Sequence, residues 1–172
     1  NFFTSHDYFK AKKNPENFLL ANIIGQDPLI FSSILILDRG RSDGVKIGDG
    51  VIAGQGVLIG KIIELEENIS YLALLTNSQV KIAAMIASQE NLHGLIEGSH
   101  GLSVKLNLIP LDKKIKIGDL VVTSGLEKNI LKGLVIGEIK EINTESNDLF
   151  QNITVLPAIN LNNLAIITIM TK

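Results

Sequence analysis

An internal repeat is the feature that most constrains the fold of this 172-residue chain. A stretch that ends in Lys-Ile-Gly-Asp occupies residues 33–49 and recurs, 70 residues later, at residues 103–119. Each copy runs into a Gly-x-x-Ile-Gly-x-Ile-x-Glu segment, at residues 56–64 in the first copy and, after seven extra residues, at 133–141 in the second. Self-similarity of this kind is typical of a fold built by doubling one unit. The sequence therefore predicts an internal duplication.

Composition and spacing favour β-strands. The chain is 45% hydrophobic, 20% charged and only 5% aromatic, and it is rich in isoleucine, whose branched Cβ suits a pleated strand better than a helix. Short apolar runs alternate with Gly, Asn and Asp clusters, as in sandwiches and barrels. Strands are predicted near residues 21–25, 32–38, 49–53, 57–65, 71–76, 80–87, 94–97, 102–109, 119–123, 133–142, 150–156 and 163–170.

Six short strands in each repeat predict an all-β fold of two small six-stranded β-barrels, because barrel closure removes the exposed edges of an open sheet. Taken in tandem, the barrels would span residues 21–90 and 91–172. Residues 1–20 differ in composition and are predicted to be a linker or the end of a stalk. Within them Asn14 and Pro15 predict a short helix that continues through Leu20.

The repeated motif is best explained as a set of tight turns. In the pairs Asp43-Gly44, Gly48-Asp49 and Gly118-Asp119, glycine can adopt the positive φ of a tight turn, and aspartate can accept hydrogen bonds from backbone amides just beyond it. Thr123-Ser124-Gly125 follows a predicted strand and is also interpreted as a turn. The alternation around Lys46 and Lys116 predicts solvated lysines and inward-pointing neighbours, namely Val45, Ile47, Ile115 and Ile117.

Several functional classes are disfavoured. A net charge of -2 and the lack of a basic patch argue against nucleic-acid binding, and the chain has no cysteine for disulfides or thiolate chemistry. Glu90, His93, Glu97 and His100 have the spacing of a helical metal site, but Gly94 and Gly98 argue against a helix. No cofactor is predicted. No apolar run is long enough to span a bilayer, so we expect any membrane segment to lie upstream of Asn1.

Two alternatives remain open from the residues alone. Paired six-stranded barrels also occur in chymotrypsin-like hydrolases, although Ser124 lacks the sequence context of a catalytic serine. A barrel that binds a small ligand or a peptidoglycan fragment is the other alternative.

The best candidates for function are exposed apolar groups, because mean hydropathy is high for a soluble chain. Phe31, Tyr71 and Phe150 stand where strands meet turns, and each could bind a partner or plug a barrel end. The two copies differ most at the seven-residue insertion, residues 126–132, where Leu126 and Ile130 are further candidates for partner binding.

From residue 21 to residue 170 the chain resembles the MreC family of bacterial rod-shape-determining proteins. The most specific segment is 118–126, which ends in the Thr-Ser-Gly-Leu turn and is followed by Gly133-x-x-Ile136-Gly137. The other segments that carry the resemblance are 23–28, 38–45, 57–62, 74–77 and 94–98. The resemblance implies the extracytoplasmic part of an inner-membrane-anchored protein with a coiled-coil stalk, and it implies no catalytic activity.

The resemblance also implies partners and an arrangement of the two barrels. Family members act as scaffolds of the cell-elongation complex that synthesises lateral peptidoglycan. They bind and activate a class B penicillin-binding protein, work with MreD, RodA and the MreB filament, and self-associate through their barrels. In the family one barrel is inserted in the other, which here would join residues 21–56 with 131–172 around an inserted barrel of residues 57–130.

Overall fold

The structure, a computed structural model, describes residues 18–29, 33–144 and 149–171. These residues form twelve β-strands and one 3-10 turn at Arg41–Asp43, so the prediction of an all-β fold is confirmed. The strands are β1 (Phe18–Gln26), β2 (Ile34–Leu37), β3 (Gly50–Ala53), β4 (Val57–Leu65), β5 (Ser70–Leu74), β6 (Lys81–Ile86), β7 (Gln89–Ser99), β8 (Ser103–Asn107), β9 (Leu120–Thr123), β10 (Val135–Asn143), β11 (Asn152–Pro157) and β12 (Ile166–Met170).

Alternating burial explains why these segments are strands. In β8, Val104 and Leu106 are fully buried while their neighbours are partly exposed, and in β11 Ile153 and Val155 are likewise buried. A period of two places one face of each strand in an apolar core and the other toward solvent. Branched side chains fill the buried positions because they lose little freedom on a pleated strand.

Hydrogen bonding closes the strands into two rings of six. In the first ring β1 pairs with β2, β2 with β5, β5 with β4, β4 with β3, β3 with β12, and β12 with β1. In the second ring β7 pairs with β8, β8 with β11, β11 with β10, β10 with β9, β9 with β6, and β6 with β7. All of these pairs are antiparallel, and the order of pairing is the same in both rings.

The rings divide the chain differently from both predicted divisions. Strands β4 and β5 pair in the first ring, whereas the inserted arrangement assigned residues 57–130 to the other barrel. Compared with tandem barrels, the sixth strand of each half has changed places, because β6 pairs with β7 and β9, and β12 pairs with β1 and β3. Each half of the chain thus completes the ring of the other half.

The prediction of a short helix that continues through Leu20 is wrong for residues 18–20. Residues 18–20 begin β1 and pair with β12, in the register Phe18 with Met170 and Leu20 with Thr168. Residues 1–17, with the rest of the predicted linker and helix, lie outside the described residues.

Two apolar cores hold the rings. One lies within the first ring and contains Leu37, Ile62 and Ile169. The other fills the second ring and extends across the junction to Leu58 and Met170, whose strands belong to the first ring. A parallel bridge between β4 and β10, a hydrogen bond from Lys61 Nζ to the Lys81 carbonyl at 2.9 Å, and shared apolar contacts join the two rings.

Candidate partner-binding surface

The two Lys-Ile-Gly-Asp segments fold into matching turns. In the first, Lys46 N donates to Asp49 Oδ2 at 2.8 Å, and in the second, Lys116 N donates to Asp119 Oδ2 at 2.8 Å. The glycines have φ values of 92° at Gly48 and 93° at Gly118, in the left-handed region that a side chain disfavours. The motif therefore forms turns, as predicted.

Two details of the predicted turns are wrong. Each aspartate accepts its hydrogen bond from an amide three residues before it, because the chain reverses at the glycine and brings that amide back to the carboxylate. Ile47 and Ile117 were predicted to point inward, yet they are 63% and 70% exposed. They lie at the tips of the turns, beyond the end of each ring, where the strand alternation no longer applies.

Asp43 and Gly44 form a different kind of turn. Residues 41–43 make a single 3-10 turn, Asp43 Oδ2 accepts from Gly40 N at 2.9 Å, and Gly44 ends the turn with a φ of 88°. The Gly40 backbone lies so close to residues 66–69 that a Cβ there would clash with that backbone. This segment serves to anchor the loop before β3 to the β4–β5 hairpin.

Ser124 is part of a structural turn. Thr123 Oγ1 donates to the Leu131 carbonyl at 2.6 Å and accepts from Leu134 N at 2.9 Å, and Gly125 has a φ of 80°. Ser124 is buried, and its Oγ accepts from Leu126 N at 3.5 Å. No His, Asp or Glu side chain of the described residues is hydrogen-bonded to this serine. The geometry is that of a turn that brings the insertion back to β10.

The insertion, residues 126–132, lies at the junction of the two rings. Glu127 Oε1 accepts from Ala83 N at 2.7 Å, which ties the insertion to β6. The Asn129 carbonyl accepts from Gly50 N at 3.4 Å, and Ile130 is 3% exposed in the shared core. Ile130 was predicted to bind a partner, but its side chain faces the core. Leu126, at the start of the insertion, is 73% exposed.

The predicted aromatic candidates do not form one surface. Tyr71 lies on β5 in the first ring, where its hydroxyl donates to Glu66 Oε2 at 2.7 Å, and this bond raises the pKa of Tyr71. Phe150 precedes β11 in the second ring and is 41% exposed. Phe31 lies outside the described residues.

Phe150 borders a groove of about 620 Å³ on the second ring. We call this the Phe150 groove. Leu95 and Glu97 of β7 line it, together with residues 107–108 at the end of β8 and residues 149–152 before and at the start of β11. Leu108 and Leu149 are exposed large apolar side chains beside Phe150, Leu149 at 81%. The groove therefore presents an apolar surface that no described part of the chain covers.

The frame of the Phe150 groove is held by backbone hydrogen bonds. Gln151 N donates to the Ile109 carbonyl at 2.8 Å, and Leu111 N donates to the Leu149 carbonyl at 3.3 Å. The buried Gln151 side chain donates to the carbonyls of Pro110 and Lys113 at 2.9 and 2.8 Å. Because its side-chain amide is buried and donates two hydrogen bonds, Gln151 fixes the loop after β8 against the start of β11.

Leu108 and Leu149 were not predicted as functional residues. Leu108 has a φ of 67°, which is uncommon for a residue other than glycine, asparagine or aspartate. Nothing in the local sequence indicates this conformation, since Leu108-Ile109-Pro110 resembles the end of an apolar strand. Only the pairing of the loop with residues 149–151 leaves Leu108 on the surface.

Metal chemistry has no support in the geometry. Glu90, His93, Glu97 and His100 are spread along β7 and the turn that follows it, and no group of three potential ligands converges anywhere in residues 18–29, 33–144 and 149–171. Across the same ranges, no helix has the length and apolar character needed to cross a membrane.

Comparison with known proteins identifies the family of this chain. The sequence profile described as "Rod shape-determining protein MreC, barrel core" matches residues 23–171. The chain belongs to the MreC family. This family consists of non-catalytic scaffold proteins that determine cell shape, so the hydrolase alternative is set aside.

Individual relatives agree with this assignment. The cell shape-determining protein MreC of Listeria monocytogenes is 33% identical over 158 residues, which cover 90% of this chain and 53% of that protein. The chain thus spans about half the length of this relative. The crystal structure of MreC from Pseudomonas aeruginosa is 25% identical with a TM-score of 0.80, covering 88% of this chain and 97% of the other.

A third similarity concerns a complex. A structure described as a complex between a penicillin-binding protein (PBP2) and MreC from Helicobacter pylori matches with a TM-score of 0.70 at 20% identity. The match covers 90% of this chain and 99% of that one. At this identity the likeness shows a shared fold.

Proposed function

We propose that this chain is the extracytoplasmic scaffold of a cell-elongation complex and binds an apolar segment of a class B penicillin-binding protein in the Phe150 groove. The observation that carries the proposal is a set of three exposed apolar side chains, Leu108, Leu149 and Phe150, on a hydrogen-bonded frame. A preformed concave site lined by apolar and aromatic side chains, with a few fixed polar groups, is typical of binding sites. The complex formed by the Helicobacter pylori relative supports the choice of partner.

Binding would activate the enzyme by selecting one of its conformations. A partner can shift a conformational equilibrium only by its differential affinity for the two states. The groove would therefore bind the active form of the penicillin-binding protein more tightly than the inactive form. In the full-length complex, MreD, RodA and the MreB filament are further proposed partners, and self-association through the rings is a proposed second mode of contact.

We also infer that the two rings are the two barrels of a duplicated unit. Their strands pair in the same order, and the motif turns match in hydrogen bonding and glycine conformation. The exchange of β6 and β12 would then hold the two copies together. This architecture supports a scaffold role, because two linked barrels offer separate faces to separate partners.

The proposal is tested by the affinity for the periplasmic domain of the class B penicillin-binding protein from the same cell. We expect Phe150→Ala and Leu149→Ala each to weaken binding about tenfold or more, as measured by biolayer interferometry. Leu102→Ala is the matched control, because Leu102 is 70% exposed on the same ring but outside the groove. Leu126→Ala and Tyr71→Ala test the other exposed candidates.

The binding results for these variants distinguish among the three candidate surfaces. If the folded Phe150→Ala and Leu149→Ala proteins bind with unchanged affinity, the Phe150 groove is not the binding site. A loss confined to Tyr71→Ala or Leu126→Ala would move the site to the β4–β5 hairpin or to the insertion. If the unaltered chain does not bind the domain at all, the proposed function is wrong.

A further inference from the structure

The Phe150 groove contains a carboxylate as well as apolar groups. Glu97 on β7 lies beside Leu95 in the groove wall, and it is the one ionisable side chain among the described lining residues. Asn107 Nδ2 donates to Glu97 Oε2 at 2.8 Å, which holds the carboxylate in place. The groove thus pairs a fixed negative charge with three exposed apolar side chains.

The cations near this carboxylate, among the described residues, do not fully neutralise it. Lys81 Nζ lies 3.8 Å from Glu97 Oε1, and the Lys81 side chain is 64% exposed, so that pair is loose and screened by solvent. Lys105 is the cross-strand partner of Glu97 on β8, but its Nζ donates to Thr154 Oγ1 at 2.9 Å instead. Neither lysine lines the groove. A cationic ligand that enters the groove would therefore compete with the exposed Lys81 for Glu97 Oε1, while Asn107 holds Oε2.

Leu108 adds a sign of preorganisation. Its left-handed backbone, with a φ of 67°, is strained for a bulky residue, and such strain persists only where surrounding contacts enforce it. The enforcing contacts are the hydrogen bonds between residues 109–113 and 149–151. As a result, the Leu108 side chain lies on the surface next to Asn107, whose side chain orients Glu97.

We propose that the Phe150 groove recognises an apolar residue that is followed or preceded by a lysine or arginine, with Glu97 as the residue that binds the positive charge. This inference rests on the proposed function and specifies the chemistry of the segment that binds. The apolar side chain packs on Leu108, Leu149 and Phe150, while the cation reaches the Glu97 carboxylate from solvent. A charge in a partly apolar wall favours an opposite charge and disfavours a like one, so it contributes mainly to specificity.

The test compares Glu97→Gln with the unaltered chain in binding to the periplasmic domain of the class B penicillin-binding protein. Glutamine keeps the shape and an oxygen for Asn107 but removes the charge. We expect Glu97→Gln to bind roughly fivefold more weakly in about 50 mM salt and to lose most of the salt dependence that the unaltered chain shows up to about 300 mM. Glu97→Asp, which keeps the charge, is expected to retain the salt dependence.

Glu90→Gln is the control, because Glu90 is an exposed carboxylate of the same strand that does not line the groove. It is expected to bind as the unaltered chain does. If Glu97→Gln binds with equal or higher affinity at both salt concentrations while Phe150→Ala still loses affinity, the charge inference is overturned and the proposed function stands. If Phe150→Ala binds with unchanged affinity, or if the unaltered chain does not bind the domain, the charge inference and the proposed function are both wrong.

Discussion

The two Lys-Ile-Gly-Asp turns have the same local geometry and different surroundings. In both, the aspartate bonds the lysine amide at 2.8 Å, and the glycine φ values are 92° and 93°. The downstream contacts match as well, since Gly48 N donates to the Ile62 carbonyl at 2.8 Å and Gly118 N to the Ile139 carbonyl at 2.7 Å. Yet Asp49 is fully buried, whereas Asp119 is only partly buried.

The insertion explains the difference. Residues 126–132 have no counterpart in the first copy, and they pack on the turn of that copy, where the Asn129 carbonyl accepts from Gly50 N. Among the described residues, Asp49 Oδ1 is left buried without a hydrogen-bond partner, and burial raises the pKa of Asp49 above its ordinary value. A repeated sequence thus determines a turn, while the environment of that turn depends on segments that are remote in the chain.

The greatest loss of stability is expected from adding one methyl group at equivalent glycines of the two copies. A Cβ at Gly60 would collide with the Ala73 carbonyl, and a Cβ at Gly137 would collide with the Leu156 carbonyl. We expect Gly60→Ala and Gly137→Ala each to lower the free energy of unfolding by about 3 kcal/mol, because neither strand pair can move apart without losing hydrogen bonds.

Urea denaturation with a circular-dichroism readout measures this loss. Gly44→Ala is the control for the cost of placing a side chain at a positive φ. A Cβ at Gly44 meets none of the described atoms within 4 Å, so this variant introduces no collision. A large loss at one of the two close-packed glycines and none at the other would show that the two rings are not equivalent in packing.

Removing the core contact of the insertion should have a slightly smaller effect. Ile130→Ala deletes a buried side chain at the junction of the rings and is expected to lower the free energy of unfolding by about 2.5 kcal/mol. Leu126→Ala, in the same segment but exposed, should change it by less than about 0.5 kcal/mol. Equal effects in thermal or urea unfolding would contradict the assignment of Ile130 to the core.

A pH titration of stability tests the burial of Asp49. Since its pKa is raised in the folded state, Asp49 contributes stability that is present below its unfolded pKa, near 3.8, and is lost as pH rises through the folded value. The free energy of unfolding of the unaltered chain, minus that of Asp49→Asn, should therefore decrease as pH rises from about 3 to about 6.

A double variant with Ile130→Ala links this titration to the insertion. If the insertion causes the burial, Ile130→Ala admits solvent and should reduce the pH-dependent difference between the chain that keeps Asp49 and the chain that carries Asp49→Asn. A difference that is independent of pH, both with Ile130→Ala and without it, would mean that burial of Asp49 has no thermodynamic consequence.

Substitutions at the tips of the two turns should matter least. Ile47→Thr and Ile117→Thr each replace an exposed side chain and should change the free energy of unfolding by no more than about 0.5 kcal/mol. A marked loss at Ile47 alone, measured by urea denaturation, would show that the insertion contacts the tip as well as the base of the first turn.

Local features of the fold could be predicted because they depend on local physics. The predicted strand 57–65 coincides with β4, and the buried alternation of β8 and β11 follows from branched apolar residues at every second position. The exchange of β6 and β12 could not be predicted, since both strands carry the same apolar pattern as their neighbours and backbone hydrogen bonds do not depend on side-chain identity.

The candidate surface was predicted only in part. Phe150 was a candidate because an aromatic residue beside a turn often lies at a surface, but its neighbours Leu108 and Leu149 resemble core leucines in sequence. Ile130 was placed on a binding surface because it lies in an insertion, yet the insertion folds back and buries it. Exposure of an apolar side chain depends on which distant segments cover it.

The strands, the two matching turns and the family of this protein follow from the sequence, because each depends on residue types at short and regular spacing. Three-dimensional packing was needed to establish which strand closes which ring, why Asp49 is buried and Asp119 is not, and how Glu97 comes to lie beside three exposed apolar side chains. Those outcomes arise from long-range pairing, in which a residue's environment is set by segments far away along the chain.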